Sequence, residues 1–94
     1  MNSVFYVQVG GVRWRVEQVP CARLPERRAR EFADNLHYDE STRCWLVQTL
    51  EYGAVYSLVQ WQGGAVLWRR GVSYPAPAGT VRDIIERYVR WRNL

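Results

Sequence analysis

His37 is the one histidine in the chain, and Tyr38, Asp39 and Glu40 follow it directly. An imidazole oriented by a neighbouring carboxylate is the arrangement of a general base. At the carboxyl end of a helical segment, however, a lone histidine is more often a favourable cap, and nothing in the spacing fixes a second catalytic group. Cys21 and Cys44 offer thiols, but neither stands at a signature distance from His37 for a Cys–His nucleophile. Two cysteines and one histidine scattered along the chain also make a poor zinc set, since zinc takes three or four such ligands. Gly10-Gly11 and Gly63-Gly64 precede no helix, so they read as hairpin turns and not as phosphate loops. The sequence therefore predicts no catalytic residue, no metal and no cofactor, and an activity that survives His37→Gln and Cys44→Ser.

What remains is recognition. All thirteen basic side chains are arginine, and five tryptophans and six tyrosines are spread over 94 residues. Arg, Trp and Tyr dominate binding hot spots because each brings a planar donor fork or a large contact area at modest entropic cost. A GC-rich coding sequence produces the same replacement of Lys by Arg. The formal charge of +4 permits a polyanionic partner without requiring one. With 48% hydrophobic and 23% charged residues the composition excludes disorder as the main state. The length fits one domain, residues 1–94, with a modest core. No apolar run approaches the roughly 18 residues that cross a bilayer, and Met1 to Val9 lacks the pattern of a leader, so no membrane association and a cytoplasmic location are expected. Reduced thiols are the corresponding expectation for Cys21 and Cys44.

These side chains must be positioned by a small set of elements. Residues 3–19 read as a hairpin: β-branched and aromatic runs flank Gly10-Gly11, and a two-residue turn pairs Val9 with Val12, Val7 with Trp14 and Phe5 with Val16. Tyr6, Gln8, Arg13, Arg15 and Glu17 then fall on the opposite face. Residues 25–37 read as a helix opened by Pro25, with Ala29, Phe32, Ala33 and Leu36 inward. Its arginines stand four residues from acids, the spacing of self-paired ions. Residues 44–70 read as a three-stranded meander turning at Gly53-Ala54 and Gly63-Gly64, residues 71–79 as an irregular loop, and residues 80–92 as a helix capped by Thr80 and Asp83. The predicted fold class is α+β, a ββαβββα two-layer sandwich with two helices on one face of an antiparallel sheet.

From Glu26 to Leu94 the element order resembles a double-stranded RNA-binding domain. Where those domains place a Gly- and Lys-rich loop against phosphates, this chain holds Pro75, Ala76, Pro77, Ala78, Gly79 and Thr80, so the resemblance is one of topology. The same region is similar to the small ribonuclease toxins of bacterial toxin–antitoxin pairs, with one helix where several of those families have two.

One sheet face, with Trp45, Val47, Tyr56, Leu58, Leu67 and Arg69, is too apolar for a solvated surface. It is expected either to pack on the amino-terminal hairpin or to meet a partner. The leading expectation is a small non-enzymatic protein-binding module, an inhibitor or adaptor of the kind found among small phage and bacterial proteins such as the anti-CRISPR proteins. Its partner-binding residues would be Tyr6, Arg13, Arg15, Trp45, Tyr56, Leu58, Leu67 and Arg69, with a homodimer through the apolar face as one form. The alternative is a nucleic-acid-binding domain using Arg70, Arg90 and Arg92 beside those aromatics, and the third is a metal-independent ribonuclease.

Overall fold

The computed structural model describes residues 3–36 and 38–93. Six antiparallel strands lie in chain order in one sheet: β1 (Val4–Val9), β2 (Val12–Val19), β3 (Arg43–Thr49), β4 (Val55–Trp61), β5 (Gly64–Arg69) and β6 (Val72–Ala76). Helix α1 (Arg27–Asp34) lies between β2 and β3, and α2 (Val81–Arg92) follows β6. The α+β class read from the sequence holds, and the expected order ββαβββα matches apart from one added strand, β6.

The first hairpin has the expected register, Val9 opposite Val12 and Phe5 opposite Val16. Gly10 and Gly11 both take positive φ, +61° and +73°, as a two-residue turn of matching twist requires. The hairpin does not cover the meander, however. It extends the sheet, with Val16 opposite Val47 and Val19 opposite Cys44.

Alternation along the strands then fixes which residues share a face. Val16, Val47 and Tyr56 lie in one row across β2, β3 and β4, and Leu58 faces Leu67. Together they form one buried cluster with Val81, Ile84, Ile85 and Tyr88 of α2. Cys44, Val59 and Val66 lie in the adjacent row and point the other way, where they pack with Leu24, Ala29 and Ala33 beneath Phe32 of α1. The helices thus cover opposite faces, which corrects the expectation of both on one face. The physical reason is visible in β4 and β5: Tyr56 to Val59 and Ala65 to Trp68 are buried without a break, and a strand buried on both faces needs a cover on each side.

Three further corrections follow. Residues 72–76 form β6 and not a loop, pairing Leu67 with Tyr74 and Ala65 with Ala76. Pro75 is tolerated there because β6 is an edge strand, where a missing N–H removes no necessary ladder bond. Strand β3 ends at Thr49, so its register with β4 sets Gln48 opposite Val55 and leaves residues 50–54 as a longer turn. Finally, Cys21 and Cys44 form a disulfide, with Cα atoms 5.2 Å apart. The pairing of Val19 with Cys44 brings the chain just past β2 alongside the start of β3, a proximity that sequence spacing does not reveal.

Helix α2 begins as its residues predict. The Thr80 hydroxyl accepts from the Asp83 amide and the Asp83 carboxylate accepts from the Thr80 amide, both at 3.1 Å. Those bonds hold the Asp83 carboxyl below its ordinary range.

Candidate functional site

The carboxyl-terminal half of α2 lays Tyr88 and Trp91, three residues apart and hence on one side of the helix, toward β4 and β6. Five rings stand in series there. Trp14 lies 5.5 Å from Tyr56, Tyr56 5.2 Å from Tyr88, Tyr88 5.8 Å from Tyr74, and Tyr74 5.1 Å from Trp91, centroid to centroid. The Tyr88 hydroxyl donates to that of Tyr56 at 3.3 Å.

Two concavities of about 270 and 310 Å3 open along this row and adjoin at Tyr56, Arg69, Tyr88 and Arg92, which line both parts of the cleft. Arg70 and Trp91 line one end, and Tyr52 lines the other. Among the described residues no Asp or Glu lines either part. The Arg69 guanidinium sits 5.6 Å over the Tyr56 ring, a cation–π placement that leaves its donor fork unused.

Four arginines outside the cleft are ion-paired. Arg13 pairs with Glu51 at 3.1 Å, Arg15 with Glu17 at 2.9 Å, Arg27 with Glu31 at 3.6 Å and Arg82 with Glu86 at 2.9 Å. Among the described residues no carboxylate reaches Arg69, Arg70 or Arg92. Arg70 also holds φ at +50° in the tight β5–β6 turn. A left-handed backbone costs a residue with a Cβ roughly 1–2 kcal/mol. The two-residue turn Arg70-Gly71, whose twist requires positive φ at both positions, imposes it.

Burial, and then the bond to Tyr56, push the Tyr88 hydroxyl up to about 12, although Arg92 and Arg69 pull against them. The folded state therefore holds this proton more tightly than the unfolded chain, whose tyrosine titrates near 10. Stability supplied by neutral Tyr88 is fully present below about pH 10 and is lost as the pH rises toward about 12. Tyr88→Phe is expected to flatten this alkaline loss in denaturant titrations between those values. An unchanged pH profile would show that Tyr88 is not the group responsible.

The structure redistributes the residues singled out from sequence. Leu58 and Leu67 are buried under α2 and unavailable to a partner, and Tyr56 is accessible only as cleft wall. Trp45 is half-buried, donates to Gln60 at 2.9 Å and packs edge-on with Phe5. Tyr6, Arg13 and Arg15 do lie together on the outer hairpin face, but with Arg13 and Arg15 ion-paired. Arg69, Arg70 and Arg92 come together in the cleft, whereas Arg90 lies on another side of α2, beside Gln8 and Glu86. His37 falls outside the described residues. Sequence reasoning missed Tyr52, Tyr74, Tyr88 and Trp91 as site residues. The signal available was the Tyr88, Trp91 and Arg92 spacing at the end of α2, which reads equally as an inward stripe with a terminal cation.

Among the described residues no group of three or more His, Cys, Asp or Glu side chains is placed to hold a metal ion. No helix among them is long and apolar enough to cross a membrane. Comparison with protein-family models, with curated proteins and with solved structures finds no match.

Proposed function

We propose that the chain is a small non-enzymatic binding module that holds an anionic partner in the arginine–aromatic cleft. One observation carries this reading: three guanidinium groups that no carboxylate reaches among the described residues meet around aromatic-walled concavities lined, among those residues, by no Asp or Glu. Charge-assisted bonds to an incoming anion are roughly twice as strong as neutral ones, and unpaired arginines have no internal bond to break first. The reading keeps the binding-module expectation but moves its surface. The apolar face of Leu58 and Leu67 lies in the core, and the hairpin arginines are already paired.

Retention on a heparin resin tests it. Arg69→Ala with Arg92→Ala should elute at clearly lower salt than the wild-type chain, while Arg27→Ala with Arg28→Ala, which removes equal charge from α1, should elute close to wild type. Equal shifts for both pairs would reduce retention to net charge and sink the proposal. Arg70→Gly adds a second arm. It should raise stability by about 1 kcal/mol, because glycine takes positive φ freely, and weaken retention at the same time.

A further inference from the structure

The residues at the two mouths of the cleft narrow the class of anion. Trp91 is 46% exposed and Tyr52 is 78% exposed. Each lines one of the two adjoining concavities, and Arg69 and Arg92 line both. An anion that carried charge alone, such as an acidic peptide segment or a sulfated sugar, would satisfy the arginines and leave both rings in water. A chain that alternates planar rings with anionic links would use all four groups.

Resting on the binding reading above, we infer that the partner is a single-stranded nucleic acid, with bases stacked on Trp91 and Tyr52 and the phosphodiesters between them held by Arg69 and Arg92. Stacking on open aromatic faces combined with a cationic groove is the physical basis of sequence-tolerant single-strand binding. A duplex fits poorly on two counts. Its bases are already stacked and present only their edges. The protruding face of α2 that would enter a groove also carries Arg82 tied to Glu86 and to the Gln8 carbonyl. Three arginines in the cleft set the scale of the electrostatic contribution: about 0.7 per phosphate on a single strand gives a log–log salt slope near −2.

Anisotropy titrations of labelled oligo(dT) and oligo(rU), each of about twelve nucleotides, against the intact chain decide the matter, and the two probes separate DNA from RNA. Trp91→Ala and Tyr52→Ala should each weaken binding by about fivefold or more, the loss of one stacked base. Arg69→Ala with Arg92→Ala should flatten the salt slope from near −2 to about −0.7. Trp91→Leu serves beside Trp91→Ala because it keeps apolar cover on Tyr74 and Tyr88, and its cooperative unfolding shows that the fold is intact. If heparin or polyglutamate competes as well as unlabelled oligonucleotide and the ring variants bind normally, the cleft is an anion site and the nucleic-acid assignment fails alone. Equal affinity for a duplex of the same length also overturns the assignment. Heparin retention without oligonucleotide binding also overturns the assignment alone, and failure to bind heparin and both oligonucleotides overturns the underlying reading with it.

Discussion

Leu58→Ala is expected to lower the free energy of unfolding by about 2–5 kcal/mol, the range for emptying a fully enclosed leucine site. Leu58 has no exposed surface and sits between Trp45 on β3 and Leu67 on β5, beneath α2. Because whole domains are held by about 5–15 kcal/mol, Leu58→Asp should abolish the fold outright. The measurement is a denaturant midpoint with its slope, alongside sedimentation. A loss below about 1 kcal/mol would mean that α2 does not seal this face. The same variant separates two accounts of the apolar sheet face. If the face were a dimer seam, Leu58→Ala would shift the monomer–dimer balance and leave the isolated protomer intact.

The pattern that made this face conspicuous also held the information about helix placement. Period-two alternation in the first hairpin sorted Val7 and Val9 from Tyr6 and Gln8, with Val9 buried and Val7 half-buried, although Phe5 on the same face stays exposed at the sheet edge. In β4 and β5 the alternation is absent because both faces are covered, and an unbroken apolar run does not say which helix lies on which side. The β3–β4 register was displaced by the same lack of constraint. Residues 50–54 contain Gly53, which reads as a two-residue turn, but tertiary bonds decide the matter: the Leu50 amide donates to the Arg13 carbonyl and the Ala54 amide to the Thr49 hydroxyl, both at 3.0 Å. Strand β6 was hidden by Pro75 within it and Pro77 just after it, since a proline in a strand is tolerated only at an edge.

The candidate site was legible in kind and not in place. Arginine and aromatic surplus pointed to recognition, and Arg69, Arg70 and Arg92 were among the residues singled out. Their convergence depends on α2 crossing the face where β4, β5 and β6 lie, so that residues 56, 69, 74, 88 and 92 meet. Which arginines are spent internally also depends on the fold. Glu51 holds both the amide and the guanidinium of Arg13, at 3.0 and 3.1 Å, across 38 positions of sequence. Arg30, expected to pair along α1, donates instead to the Leu24 carbonyl. Ion-pair spacing on a helix states an opportunity, and a nearer buried carbonyl takes it first.

The Cys21–Cys44 bridge carries the second large expected effect. It closes a loop of 23 residues between the turn after β2 and the start of β3, a length for which loop-closure entropy gives about 3 kcal/mol of stabilisation. Cys21→Ala is the cleaner variant, because Cys21 is half-buried while Cys44 lies in the core under α1 and a free thiol there packs as a small apolar group. This variant is expected to unfold at lower denaturant by an amount equivalent to about 3 kcal/mol, and reductant should bring the wild-type chain to the same midpoint. Thiol titration should find no reactive cysteine in the oxidised native chain and two after reduction and unfolding. Identical midpoints with and without reductant would show that the bridge adds nothing to stability. The result bears on where the chain works, since bridges persist in oxidising compartments and are rare in the cytosol. A chain serving in the cytoplasm would have to hold β2, α1 and β3 together through the β2–β3 ladder and the cluster of Val19, Leu24, Ala29, Ala33 and Val59.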